Sequence, residues 1–138
     1  MSKSTGYAYV VGDIIHFGHI LHLKNCKAQC DTLIVGVLTD KATMEKKPKP
    51  IIPFKERLEI ISELKCVDAV VAQETYSPDT NVNNIKPAIL FESTSHKTPS
   101  ENDWGRTIVM PYFPSQSSTR IKNLVKKRGG EKDESKQS

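Results

Sequence analysis

An α/β fold on a mostly parallel, five-stranded sheet is what the sequence predicts, and three observations predict it. Short apolar runs rich in β-formers recur along the chain, and stretches with helix-compatible apolar spacing separate them. One of the runs, Thr32-Leu33-Ile34-Val35-Gly36-Val37-Leu38, is continuous, as expected of a strand buried on both faces of a parallel sheet. Strands that alternate with helices place those helices on the faces of such a sheet.

The elements follow in order. Tyr7-Ala8-Tyr9-Val10-Val11 reads as the first strand, broken by Gly12-Asp13. From about His19 to Cys30 the apolar Ile20, Leu21 and Leu23 stand among polar residues at helical spacing. After the second strand, Lys41 to Pro53 reads as a loop rich in Lys and Pro. Phe54, Leu58, Ile61 and Leu64 mark an amphipathic helix over 54–64. Val67 to Ala72 is the third strand. Residues 76–84 read mostly as loop, with a helical turn at Asn83-Asn84-Ile85-Lys86 that Pro87 ends. Ala88-Ile89-Leu90-Phe91 and Thr107-Ile108-Val109-Met110 complete the strands, and a long polar stretch, 92–106, lies between them. Ser117 opens a last helix with Ile121, Leu124 and Val125 on one face, stopped by Gly129-Gly130. The domain therefore spans 1–128, and 129–138 is expected to be a charged, disordered tail.

Composition bounds the function. The 138 residues suffice for one domain, and 37% of them are hydrophobic, a lean core. Lys plus Arg number 20 against 16 for Asp plus Glu, a net charge of +4 that suits anionic small molecules as well as nucleic acid. No apolar run approaches the roughly 18 residues of a membrane span. The opening residues lack a signal-peptide pattern, and Cys26, Cys30 and Cys66 are an odd set best read as reduced packing residues, so a cytoplasmic protein is expected. Basic residues are interrupted by acids and do not interleave with aromatics, which argues against a nucleic-acid surface.

In open sheets of this class the ligand lies beyond the carboxyl ends of the strands. Two segments fall there. Gly12-Asp13-Ile14-Ile15-His16-Phe17-Gly18-His19 follows the first strand, and Ser117-Ser118-Thr119-Arg120 follows the last. A helix N-terminus offers N–H groups and partial positive charge to a phosphate, and each imidazole can donate to a phosphoryl oxygen. The plainer readings are a loop histidine, a helix-start histidine and ordinary Ser/Thr capping. His22 extends the three-residue spacing of His16 and His19, but the set straddles a loop and a helix and lacks a completing carboxylate or Cys, so no metal site is expected. Lys46, Lys47 and Lys49 fall in the loop after the second strand, at the same end. Arg57 could hold either a phosphate or a structural carboxylate.

The segment Asp13-Ile14-Ile15-His16-Phe17-Gly18-His19 resembles the HxGH signature of the nucleotidyltransferase superfamily, and most of all its cytidylyltransferase-like family, which includes the glycerol-3-phosphate cytidylyltransferases. Leu38-Thr39-Asp40, Lys46, Glu56-Arg57, Cys66-Val67-Asp68 and Ser117-Ser118-Thr119-Arg120-Ile121 extend the likeness over residues 7–127. The chain departs from the family pattern at Val10-Val11-Gly12, at Phe91 to His96 and at Tyr112 to Gln116.

The resemblance implies a Rossmann-like three-layer sandwich and transfer of a nucleoside monophosphate, CMP by preference, from a triphosphate to a phosphorylated small molecule, with release of pyrophosphate. It implies His16, His19 and Lys46 as catalytic residues. Val11, Gly12, Asp13, Gly18, Arg57, Ser117, Ser118, Thr119 and Arg120 become the nucleotide-binding set. Mg²⁺ would arrive with the triphosphate, CTP or ATP, and a homodimer is expected. The alternatives are an adenylyltransferase acting with ATP on a sugar 1-phosphate or on FMN, and a nucleotide-binding module without catalysis.

Overall fold

The computed structural model describes residues 4–93, 100–111 and 122–126. Five strands form one sheet: β1 (Thr5–Val10), β2 (Thr32–Leu38), β3 (Ala69–Gln73), β4 (Ile89–Ser93) and β5 (Arg106–Met110). Their order is β3-β2-β1-β4-β5, and every pairing is parallel. The chain therefore steps outward from β1 in one direction, then returns to the other side of β1 for β4. The order reverses between β1 and β4, and the crevice beyond their carboxyl ends is where a ligand lies in such sheets.

Helices cover both faces. The residues of β1 alternate, as a pleated strand requires. Ala8 and Val10 face α1 (Phe17–Lys27) and α3 (Phe54–Ser62), in a core with Leu23, Cys26, Leu33, Val35, Val37, Ile61 and Phe91. Tyr7 and Tyr9 face the other way, with Ile34, Val71 and Leu90, onto Val82 and Ile85 of α4 (Asp79–Ile85). The architecture is the three-layer α/β sandwich that the sequence predicts.

The tyrosine layer also holds a buried polar network. Tyr7 Oη donates to Gln73 Oε1 at 2.6 Å and accepts from Asn81 Nδ2 at 2.9 Å, which ties β1 to β3 and α4. Burial pushes the Tyr7 phenol up to about 12, against a smaller opposing effect of the Asn81 bond. Gly36 makes room for this: a Cβ there would stand 1.8 Å from Tyr7 Oη.

Several boundaries differ from expectation. The first helix starts at Phe17 rather than near His19. A short helix, α2 (Asp40–Thr43), opens the segment expected to be loop, capped by Thr39 Oγ1, which accepts from Ala42 N at 3.1 Å. The turn expected at 83–86 is the end of α4, closed by Lys86 in the left-handed region (φ 55°) before Pro87. Residues 122–126 are helical. Ser117, Ser118, Thr119, Arg120, the Gly129-Gly130 stop and the tail lie outside the described residues.

Candidate active site

Two left-handed residues shape the loop that leaves β1: Gly12 at φ 75° and Ile14 at φ 55°. Glycine adopts that conformation freely. A β-branched residue does so only where its surroundings enforce it. Between the two, Asp13 turns inward and is 2% exposed. Its Oδ2 accepts from Ile51 N and its Oδ1 from Ile52 N, each at 2.9 Å, and Lys122 forms an ion pair with Oδ2. Burial alone would raise the Asp13 carboxyl, but the bond from Lys122, the two backbone N–H groups and the Lys122 charge outweigh it and hold the group below its usual range. One carboxylate thus joins the loop after β1, the end of the basic loop and the helical segment 122–126.

The loop delivers His16 to the N-cap of α1 in an extended conformation. Its Nδ1 accepts from Gly18 N at 3.0 Å, and the backbone N of His16 donates to His19 Nδ1 at 3.3 Å. The two imidazoles cap one helix end reciprocally, with ring centroids 4.2 Å apart. Burial lowers His16, and it lowers His19 to about 4 with help from the neighbouring His16, His22 and Lys47 and against Asp13. Both rings are therefore neutral near pH 7. An Nδ1 that accepts carries no proton, so each neutral ring carries its proton on Nε2. His16 Nε2 is buried without a hydrogen-bond partner among the described residues.

The predicted residues divide. His16, His19, Gly12, Asp13 and Gly18 come together at the end of β1, although the N–H of Gly18 is engaged by His16 rather than open to a ligand. Arg57, expected to hold either a phosphate or a structural carboxylate, has internal partners here. It is 0% exposed, and Nε donates to Ile52 O at 2.9 Å, Nη1 to Val11 O at 2.5 Å and Leu38 O at 2.7 Å, and Nη2 to Asp40 Oδ1 at 2.7 Å. It fixes the carboxyl ends of β1 and β2, and with them Val11, whose carbonyl it holds. Lys46 lies over the Tyr76 ring, with Nζ 5.2 Å from its centre. Lys47 is the lysine of this loop whose charge acts on His19. Desolvation first, and then the charge of Lys122, hold the Lys47 ammonium down.

From the sequence, Lys47 stands only as an alternative to Lys46, and Lys122 is not singled out at all. Lys47 adjoins the lysine chosen, and Lys122 stands one residue past the second signature, so proximity was their only signal. Among the described residues no group of three or more His, Cys, Asp or Glu is placed to hold a metal ion, and no helix is long and apolar enough to cross a membrane.

Residues 12–110 match the family model described as cytidylyltransferase-like. The chain belongs to the cytidylyltransferase-like family. As a member it is similar to the bifunctional protein HldE of Proteus mirabilis (strain HI4320), with 32% identity over 125 residues, 84% of this chain and 26% of HldE. HldE of Sodalis glossinidius (strain morsitans) matches at 29% over 129 residues, 87% of this chain and 27% of that protein. This cytidylyltransferase-like chain thus spans about a quarter of the length of these relatives. Among solved structures, the lipopolysaccharide core biosynthesis protein of Thermoplasma volcanium GSS1 superposes with a TM-score of 0.71 at 27% identity, covering 81% of this chain and 98% of that one. The pantoate-β-alanine ligase of Francisella tularensis, solved with a β-γ ATP and β-alanine, shares the fold at a TM-score of 0.55 and 16% identity, over 88% of this chain and 65% of that one.

Proposed function

We propose that the chain is a nucleotidyltransferase: an oxygen of a phosphorylated small molecule attacks the α-phosphorus of a nucleoside triphosphate, and pyrophosphate leaves. The observation that carries the reading is the reciprocally capped His16–His19 pair, two neutral imidazoles locked by backbone N–H groups in the form whose Nε2 donates. The attacking phosphate is already an anion at neutral pH, so no nucleophile and no strong base are required of the protein. Alignment is required, together with donors for the charge that builds on the α-phosphoryl oxygens. In this reading His16 and His19 donate to those oxygens, Lys47 and Lys122 face the departing pyrophosphate, and Arg57 keeps the strand ends beneath them in place. Ser117, Ser118, Thr119 and Arg120 complete the nucleotide site. A protein-built metal cage does not fit the described residues, so Mg²⁺ is proposed as a companion of the triphosphate, where it neutralises phosphate charge, and no step is assigned to it.

The resemblance alone favours CTP. The relatives reported above are HldE proteins and a lipopolysaccharide core biosynthesis protein, not cytidylyltransferases by name. They support ATP as the donor and a phosphorylated sugar as the acceptor, and that is the finer reading adopted. Assembly as a homodimer belongs to the same proposal, and light scattering coupled to size exclusion checks it.

The test is pyrophosphate release, measured with each of the four triphosphates against a panel of phosphorylated sugars and polyols. Release with ATP and a sugar phosphate is expected. Release with CTP alone would move the donor back to cytidine. Binding of a triphosphate without release on any acceptor would replace the enzyme by a binding module.

A further inference from the structure

Asp13 and Lys122 carry a consequence for how the site loads. The Asp13 carboxylate is buried, and two backbone donors, Ile51 N and Ile52 N, hold it in addition to Lys122. Those donors are secured independently, because Arg57 Nε grips Ile52 O at 2.9 Å. Asp13 would therefore remain satisfied if Lys122 left. The Lys122 side chain is 26% exposed against 2% for Asp13, so its ammonium sits at the rim of the junction and can turn outward without further loss of water. Lys47 stands on the same side and its charge opposes that of Lys122. Two ammonium groups thus repel one another, and one of them rests on a carboxylate that already has other donors, an arrangement that draws in a second anion.

We infer that the Asp13–Lys122 ion pair is a latch which an incoming polyphosphate opens, Lys122 passing from the carboxylate to the phosphate while Asp13 stays on Ile51 and Ile52. A polyphosphate carries several negative charges against one on Asp13, so the exchange runs toward the ligand. It also ties the helical segment 122–126 to the nucleotide: with the site empty that segment is held to the loop after β1, and with the site filled it is held to the ligand. The inference rests on the phosphate-binding reading of the site and not on turnover.

The probe is inorganic tripolyphosphate, with adenosine as the uncharged control, both bound to the full chain and followed by calorimetry. In parallel, NMR follows the Asp13 carboxyl carbon through a pH titration with and without saturating tripolyphosphate. Among the described residues the titratable groups acting on that carboxyl include Lys122 and His19, with Lys47 next to both. The expected result is that tripolyphosphate moves the Asp13 midpoint up by about one pH unit as Lys122 departs. In Lys122→Met the midpoint is already high and no longer responds, tripolyphosphate binding weakens about tenfold, and adenosine binding holds within about twofold. Lys122→Arg keeps the charge and most of the affinity. Tripolyphosphate that binds the wild type while leaving the Asp13 midpoint unmoved, or that binds Lys122→Met equally well, overturns the latch alone. A wild type that ignores tripolyphosphate overturns the phosphate-site reading with it.

Discussion

Arg57 reaches across the site end of the sheet to Asp40, Nη2 to Oδ1 at 2.7 Å, while its remaining donors hold three backbone carbonyls. Removing that guanidinium leaves Val11 O, Leu38 O and Ile52 O without their donor. Leaving buried polar groups unpaired costs about 1–3 kcal/mol for each, with incomplete additivity. Arg57→Met is therefore expected to lose on the order of 3–5 kcal/mol of folding stability, read as the midpoint of urea unfolding. Arg57→Lys, with a single ammonium in place of the fork, recovers only part of it. If the role were direct phosphate binding, Arg57→Met would unfold like the wild type and lose triphosphate affinity instead.

His19 makes the stability of the fold depend on pH with a definite sign. Its folded-state value is about 4 against an ordinary 6.5, because the ring is desolvated, with smaller contributions from His16, His22 and Lys47 against that of Asp13. The unfolded chain takes up a proton that the folded chain refuses. His19 therefore costs nothing above pH 6.5, and stability falls as pH drops from about 6.5 toward 4. His19→Gln is expected to flatten this slope, measured as the unfolding midpoint at a series of pH values. The same variant should lower turnover by about 10²–10³ through the lost donor. An unchanged slope would show that the ring is solvated and titrates normally.

How much of this was legible in the sequence depends on what each residue signals locally. The strands were visible because β-branched runs such as Thr32–Leu38 bury both faces. α4 was not, since Asp79-Thr80-Asn81-Val82-Asn83-Asn84-Ile85 is poor in helix formers, and packing of Val82 and Ile85 on the tyrosine layer overrides that propensity. α2, at four residues, is too short to show a period. The early start of α1 was hidden because its cap is an imidazole rather than a short hydroxyl or carboxamide. For the site, the histidine pair could be read from its spacing and its likeness to a signature. The partners of Arg57 and Lys46 could not, because a sequence shows charge and position but not which way a long side chain turns.

Lys46 and Lys47 are adjacent and chemically identical, yet the structure gives them different neighbours. Lys46 lies on the Tyr76 ring, a cation–π contact worth about 0.5–1 kcal/mol where exposed. Lys47 acts on His19 and Lys122. Lys47→Ala is expected to raise the KM for the triphosphate about tenfold, whereas Lys46→Ala stays within about threefold. Steady-state kinetics at varied triphosphate decide between them. A larger effect at Lys46 would mean that it leaves Tyr76 when ligand binds, and that the sequence reading had chosen the right lysine.

Gly36 tests the scaffold apart from the site. It pairs with Tyr9 and Val71 in the middle of the sheet, and its missing side chain leaves the space that Tyr7 Oη and Gln73 Oε1 occupy. A methyl group there would stand 1.8 Å from the hydroxyl and 2.7 Å from Cζ of Tyr7, closer than real Cβ contacts allow. Either the ring must shift, which breaks its bonds to Gln73 and Asn81, or β1 and β2 must separate. Overpacking of this kind costs about 1–3 kcal/mol, and the broken bonds leave buried polar groups unpaired at a similar further cost. Gly36→Ala should therefore lower the melting temperature by about 10 °C. Adding Tyr7→Phe removes the nearer of the two clashing atoms and should return a part of the loss, which two independent faults would not do. Activity per folded molecule, measured well below the melting point, should stay near that of the wild type, because the tyrosine layer lies on the face of the sheet opposite α1 and its histidines. A Gly36→Ala protein that melts like the wild type would mean that Tyr7 moves aside freely and that the buried network contributes little to the fold.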